Sequence, residues 1–290
     1  MTQIITTLSE ISDRYDALFV DLWGCVHDGV TAIPSAVAAL QDYRQRGGAV
    51  ILVTNAPRSR QEVAKQLDRF DVPKDAWDDI ATSGDSARTA MFTGAVGEKV
   101  WFMGQDFDLT FFQPPDVLES PVKITRVALD EAEGIVCCGP FDPHADPAIN
   151  RPEFLLAKQK GLKLLCANPD IVVDRGERRE WCAGALAQLY SEMGGESLYF
   201  GKPHPPIYDL ARRRLAHCRP GVTDGAILAI GDGPHTDIDG AMGEDLDSLF
   251  ITGGLARAET GTGQQPAPDA LRAFVEKEMI NPSFSMGTLR

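Results

Sequence analysis

A series of short apolar runs, continuous rather than alternating, constrains this chain more than any other feature. The runs are Ala17–Val20, Val50–Val53, Val100–Met103, Ile135–Cys138, Leu162–Cys166, Leu198–Phe200, Ala226–Ile230 and Leu249–Ile251. Successive side chains of a strand point to opposite faces, so a strand with one wet face alternates apolar and polar residues. Runs without alternation are expected of parallel strands covered on both faces. Between them lie stretches with helical spacing and readable ends. Ser59-Arg60-Gln61-Glu62 fits a capping box opening a helix to about Phe70. Pro152 suits a first helical turn, and Gly161 a stop after Lys160. The stretch from Arg179 to Met193 has helical apolar spacing and ends at Gly194-Gly195, while Pro206 opens a helix reaching about His217. Strand and helix in alternation predict an α/β fold with a mostly parallel sheet.

The length of 290 residues suggests about two domains. A net charge of -14 argues against a nucleic-acid partner, because that affinity rests on Lys and Arg neutralising phosphates. It leaves room for a small phosphorylated substrate in a locally positive or metal-bound pocket. The first sixteen residues show no basic segment followed by an apolar stretch, so no secretory signal is expected. No apolar run is long enough to cross a bilayer, so no membrane partner is expected either. Six cysteines occur without a CxxC pair, which reads as reduced thiols in a cytoplasmic protein, mostly filling the core. Cys137 and Cys138 are adjacent and should face opposite sides of a strand. Cys25 is set apart, because it falls inside the motif that Asp21 opens and is expected to be partly accessible.

Ligands of open α/β sheets bind outside the carboxyl ends of the strands. Four such places carry polar chemistry. Asp21 follows Ala17–Val20, and a carboxylate there is a competent nucleophile toward phosphorus. Thr54 and Asn55 follow Val50–Val53 and can donate hydrogen bonds to phosphate oxygens. Lys202, in Gly201-Lys202-Pro203, supplies a point charge for a phosphoryl group. Asp232 and Asp237 share one glycine-rich loop and suit Mg²⁺, which takes a few carboxylates and keeps several waters. Three of them have an ordinary alternative: a turn residue for Asp21, a plain Asn-Pro turn for Thr54-Asn55, a solvated surface lysine for Lys202.

Taken in order, these four elements resemble the four motifs of the haloacid dehalogenase (HAD) superfamily. Asn168-Pro169-Asp170, Gly184-Ala185, Gly201-Lys202-Pro203-His204 and Ile207-Tyr208 look like its class IIA branch, which includes NagD-like sugar phosphatases and 4-nitrophenylphosphatases. The resemblance runs from about Tyr15 to Gly254. It implies a Rossmann-like core over 1–82 and 196–290, with an α/β cap of the C2 type inserted over 83–195. It implies a Mg²⁺-dependent phosphatase in which Asp21 attacks phosphorus and Thr54, Asn55 and Lys202 hold the phosphoryl oxygens. Mg²⁺ would be bound by Asp21, the backbone carbonyl of Trp23 and Asp232, with Asp237 helping. Asn168, Asp170 and Arg175 are the cap candidates for substrate contact. Glu177 and Glu180, interleaved with Arg175, Arg178 and Arg179, favour a solvated helix start over an anion site. Pairing into a homodimer is a further expectation of the resemblance.

The chain departs from the family at Trp23, where phosphatases of the superfamily carry a second Asp that protonates the leaving oxygen and then activates water. An indole N–H is a donor only. His27 or Asp28 stands near enough in sequence to replace it. Otherwise the enzyme is slow and favours good leaving groups, or the fold binds a phosphorylated ligand without turnover.

Overall fold

The computed structural model describes residues 2–115, 117–175 and 178–290. The chain divides into two compact units. The first comprises Met1–Thr54, Val63–Ala81 and Tyr208–Arg290, and the second Asn55–Glu62 and Thr82–Ile207.

The first unit is built on a seven-stranded sheet. Along the chain it receives β1 (Gln3–Ile4), β2 (Ala17–Val20), helix α1 (Pro34–Gln45), β3 (Ala49–Thr54), most of α2 (Arg60–Arg69) and β4 (Asp79–Thr82). The chain then makes the second unit, beginning with α3 (Ser83–Phe92), β5 (Lys99–Met103), β6 (Thr125–Arg126), β7 (Gly134–Cys137), α4 (Arg151–Gln159) and β8 (Lys163–Cys166). That unit continues with β9 (Val172–Arg175), β10 (Arg178–Trp181), α5 (Ala183–Glu192) and β11 (Glu196–Tyr199). After α6 (Pro205–Cys218), the first unit is completed by β12 (Ile227–Gly231), α7 (Asp239–Gly243), β13 (Asp247–Ile251), α8 (Pro268–Glu278) and β14 (Phe284–Met286).

The strand order of the first sheet is β1-β14-β13-β12-β2-β3-β4. From β2 the chain lays β3 and β4 to one side, and on its return lays β12, β13 and β14 to the other. The order therefore reverses between β2 and β12, which pair in parallel with Ile230 opposite Val20. β2 pairs with β3 in parallel on its other side. Every residue of β2, β3 and β12 is buried, which is why these runs carry no polar alternation.

The second unit has a five-stranded parallel sheet, ordered β11-β8-β7-β5-β6. Its two faces pack separate cores. Ile135, Cys137, Leu164 and Cys166 join Phe154 and Ala157 of α4 and Leu186 and Tyr190 of α5. Val136, Cys138, Leu165 and Ala167 join Ala87, Met91 and Phe92 of α3. Cys137 and Cys138 thus lie in different cores, as their adjacency on one strand requires.

The helix ends follow the sequence in most places. Ser59 and Glu62 form the reciprocal capping box, with the Ser59 N–H donating to the Glu62 carboxylate and the Glu62 N–H to Ser59 Oγ, both at 3.3 Å. One expectation is corrected. The stretch from Arg179 to Met193 is not helical throughout, because Arg178–Trp181 pairs antiparallel with β9 and the helix begins at Ala183. The helical signal came from the apolar residues after Cys182. The Arg-Arg-Glu segment before them carries no such signal and is claimed by the hairpin ladder. Among the described residues no helix is long and apolar enough to cross a membrane.

Candidate active site

In the first unit, three neighbouring strands deliver polar groups from their carboxyl ends. Asp232 follows β12, Asp21 follows β2, and Thr54 is the last residue of β3. All three are buried. This is the switch point of the sheet, where the crevice of an open α/β fold opens. The Asp21 N–H donates to the Ile230 carbonyl at 2.8 Å, so the ladder continues one residue past the strand and fixes the root of the Asp21 side chain.

Beyond Asp21 the chain curls tightly. The N–H groups of Val26 and His27 donate to the Leu22 carbonyl at 2.8 and 3.0 Å, and the Gly24 N–H donates to the His27 carbonyl at 2.9 Å. Gly24 takes φ +78°, which a side-chain-bearing residue adopts only with strain. A methyl group at Gly24, or at Gly254, would run into the Asp232 carboxylate. That carboxylate is further oriented by the Leu255 N–H, which donates to it at 3.0 Å. The result is that ligand atoms of Asp21, Asp232 and Cys25 all lie within 4.8 Å of one another, and all three residues are buried. Two carboxylates so close, with backbone kept clear of side chains around them, fit a divalent cation, which relieves the repulsion between them.

Cys25 is the member of this cluster that the sequence did not place. Its expected partial accessibility is overturned, since it is fully buried. Its position four residues after Asp21 in the same loop was the available signal. Asp237 does not join the cluster. It lies on the single π-helical turn Pro234–Ile238, and its Oδ2 accepts the Gly233 N–H at 3.0 Å. Its carboxylate thereby braces the loop that carries Asp232.

Trp23 is half-buried in this loop. Its ring covers Gly29, where a methyl group would strike the indole, and it meets the His27 ring edge-on at 5.5 Å. His27 is buried between Trp23 and Phe70, the latter at 5.0 Å. Its Nδ1 accepts the Gly29 N–H at 3.0 Å, and burial lowers its pKa to about 4. Asp28 is exposed and caps the next turn, its Oδ1 accepting the N–H groups of Val30 and Thr31 at 2.9 and 2.8 Å. The bonds from Thr31 and Val30 hold its carboxyl below the usual range. Both side chains offered as substitutes for the missing Asp are therefore committed to the loop: His27 is neutral at pH 7 and Asp28 is ionised in a turn.

In the second unit, a different network surrounds Lys202. The Lys202 N–H donates to Asn55 Oδ1 at 2.7 Å, and Asn55 Nδ2 donates back to the Lys202 carbonyl at 3.1 Å. Asn55 Nδ2 also donates to Asp170 Oδ1 at 2.8 Å. Asp170 is held in turn by its own N–H, which donates to Asn168 Oδ1 at 3.0 Å. Gly201 fits here because a side chain would collide with Asn55 Oδ1, Pro169 and Ser83 Oγ. Lys202 is buried, so its reading as a solvated surface lysine is excluded. The Asn55 amide directs both N–H groups at protein, so its side chain pins the Lys202 loop. Asn168 and Asp170, expected to meet substrate, also support this pin. Arg175 ends β9, and its side chain lies outside the described residues, as do Gly176 and Glu177.

Two buried carboxylates on adjacent strands at the switch point, with a second α/β unit inserted in the chain, place this among α/β proteins whose ligand site lies at the carboxyl ends of the strands. The comparisons give the family. Residues 18–113 match the model described as haloacid dehalogenase-like hydrolase, and residues 199–275 the model described as HAD-hydrolase-like. A crystal structure of a haloacid dehalogenase-like hydrolase from Brucella suis 1330 is 38% identical, covers 99% of this chain and 100% of its own, and superposes with a TM-score of 0.85. The chain belongs to the haloacid dehalogenase-like hydrolase family and is an enzyme of it. D-glycerol 3-phosphate phosphatase of Mycobacterium tuberculosis is 26% identical over 89% of this chain and 69% of its own length. A possible sugar phosphatase from Cytophaga hutchinsonii has the same fold, at 19% identity and a TM-score of 0.77 over 99% of this chain and 98% of its own.

Proposed function

We propose that the chain is a Mg²⁺-dependent phosphatase acting on a small phosphorylated metabolite, such as a sugar phosphate or glycerol phosphate. The observation that carries this is the pair Asp21 and Asp232, buried side by side at the switch point of the first sheet. The Mycobacterium tuberculosis glycerol phosphate phosphatase, 25% identical over 84% of this chain and 70% of its own, has been solved in complex with magnesium, which supports the choice of cation.

In this reading Asp21, Asp232 and the Trp23 carbonyl would hold the cation, and Asp237 keeps the Asp232 loop in place. When bound, the ion would neutralise charge on the phosphoryl oxygens and on Asp21. Asp21 attacks phosphorus, the P–O ester bond breaks and the alcohol leaves as its alkoxide, and water then cleaves the aspartyl-phosphate to phosphate and free Asp21. Thr54 donates its hydroxyl to the phosphoryl group. Asn55 acts through Lys202, whose backbone it brackets, and Lys202 brings the positive charge. We assign the cap role, and with it the choice of substrate, to residues 83–195.

Position 23 sets the limit on turnover. No carboxylate stands there to protonate a leaving alkoxide, and the loss of such help slows a reaction roughly 10²–10⁴-fold. Esters with acidic leaving groups should therefore be the best substrates. The same observation supports a second reading, in which the fold binds a phosphorylated ligand with little or no turnover.

The test is phosphate release from p-nitrophenyl phosphate with Mg²⁺, with EDTA, and in Asp21→Asn. Turnover should need the metal and should fall at least roughly 10⁴-fold in the variant, as for loss of a catalytic nucleophile. Turnover that survives Asp21→Asn would overturn the aspartyl-phosphate route. Silence across a broad panel of phosphate esters, with Mg²⁺ still bound, would favour the binding protein.

A further inference from the structure

We propose that Thr262 is a positioning residue for the Asp232 carboxylate, acting through the loop from Thr252 to Thr262 and the N–H of Leu255. The inference rests on the reading of Asp21 and Asp232 as a Mg²⁺ site and concerns what holds one of the two carboxylates in register.

Three buried threonines follow β13: Thr252, Thr260 and Thr262. A hydroxyl kept from water costs stability unless it is hydrogen-bonded, and here the three bond to one another. Thr262 Oγ1 donates to Thr252 Oγ1 at 2.8 Å and lies 2.7 Å from Thr260 Oγ1. The ends of the chain fall on carbonyls. Thr252 Oγ1 donates to that of Met286 at 3.3 Å, and Thr260 Oγ1 to that of Ala256 at 2.7 Å.

These contacts bracket Leu255. Upstream, Thr252 and Gly253 extend the pairing with β14, their N–H groups donating to the Met286 and Gly287 carbonyls at 2.9 and 2.7 Å. Downstream, the Ala256 carbonyl accepts the Thr260 N–H at 3.0 Å as well as its hydroxyl. Thr262 joins the two flanks. Leu255 is thereby presented to Asp232 at a fixed angle, its N–H donating to Oδ2 at 3.0 Å. The approach is so close that a methyl group at Gly254 would stand 1.9 Å from the same oxygen. Donors behind a ligating carboxylate orient it and raise metal affinity. When the donor is a backbone N–H, its direction is set by the loop that carries it.

Thr262→Val removes the middle hydroxyl and keeps the shape of the side chain. Thr252 and Thr260 each retain a carbonyl to donate to, so no donor is orphaned and the fold should survive. Thr262→Ser restores the hydroxyl. The probe is Mn²⁺, which favours oxygen ligands as Mg²⁺ does, titrated into the full chain stripped of metal and followed by the paramagnetic resonance of the free ion. The Kd should rise roughly tenfold in Thr262→Val and return toward the parent value in Thr262→Ser. Ser285→Ala removes a buried hydroxyl of β14 that has no partner among the described residues, and should leave the Kd unchanged. Half-maximal release of phosphate from p-nitrophenyl phosphate should need roughly tenfold more Mg²⁺ in Thr262→Val, while kcat at saturating Mg²⁺ changes little. If Thr262→Val folds poorly, Thr260→Val breaks the same link at its other end. An unchanged Mn²⁺ Kd in the folded valine variant, or an equal loss in Thr262→Val, Thr262→Ser and Ser285→Ala, would overturn the inference and leave the cation site standing. Failure of the parent chain to bind Mn²⁺ would overturn the cation site and the inference with it.

Discussion

The loop after β2 and the network around Lys202 are both rigid, but they are made rigid by different means. Around Asp21 and Asp232 the backbone does the work. The sheet ladder, a turn closed on Leu22, the Leu255 N–H and glycines at 24 and 254 place the two carboxylates. Around Lys202 one side chain does it. The Asn55 amide brackets the Lys202 peptide on both sides and is itself fixed by Asp170, 115 residues away in the chain. Backbone placement is insensitive to what the neighbouring side chains are, and so the loop after β2 can carry Trp23, where the family resemblance implies an acid, and keep its carboxylates in place. A side-chain pin has no such tolerance.

The comparison is tested most strongly at position 23. If the loop is a backbone device, Trp23→Asp should restore a carboxylate to a frame that is already correct. We expect turnover of an alkyl phosphate to rise roughly 10²–10⁴-fold, and turnover of p-nitrophenyl phosphate to rise far less, because nitrophenolate leaves without a proton. Loss of the indole from Gly29 and His27 should lower stability by about 1–3 kcal/mol. Steady-state rates on the two esters, with urea melts alongside, measure both. Equal rates before and after the substitution, on both esters, would show that the loop is not held in the working geometry.

The two regions also differ in how far the sequence revealed them. Continuous apolar runs disclosed β2, β3 and β12, and polar residues immediately after them disclosed Asp21, Thr54 and Asp232, because strand and site are one local pattern. Cys25 was visible as a residue of the loop but not as a neighbour of Asp232, since that contact depends on a turn with a left-handed glycine. The bracket that Asn55 forms around Lys202 was hidden for a similar reason. An amide after a strand can serve phosphate or protein, and only the arrival of Asp170 and Lys202 decides which. The edge strand β4, with Ile80 and Ala81 its only apolar residues, and the hairpin of β9 and β10 left no periodic signal at all.

His27 gives the next test of the loop. Burial holds its folded-state pKa at about 4. The unfolded imidazole takes a proton near pH 6.5, so between these values the unfolded state binds more protons and stability rises with pH. The contribution is fully present above about pH 6.5 and is lost as pH falls toward 4, amounting to about 3 kcal/mol. His204, stacked on Tyr199 in the second unit, is shifted by burial in the same direction, so the variant and not the profile alone isolates His27. Urea midpoints at pH 7, 5.5 and 4.5 should show a steeper loss in the native chain than in His27→Gln, which keeps an acceptor for the Gly29 N–H. Parallel profiles would mean that the imidazole is hydrated, and that the loop is less closed than its backbone bonds require.

The smallest effect bears on the side-chain pin. Asn55→Ala, Asp170→Ala and the double variant form a thermodynamic cycle whose coupling measures the 2.8 Å bond between them. A hydrogen bond to a charged group predicts a coupling of about 1–2 kcal/mol in the stability of the folded chain. Asp170→Asn keeps the shape and an acceptor but removes the charge, and should retain part of it. The kinetic expectation is sharper than the stability one. If Asn55 acts only through the Lys202 peptide, Asp170→Ala should raise the KM for a phosphate ester more than it lowers kcat, because Lys202 loses its fixed position while Asp21 keeps its own. A fall in kcat with KM unchanged would place Asp170 in the chemistry, and the pin would then be the lesser part of its work.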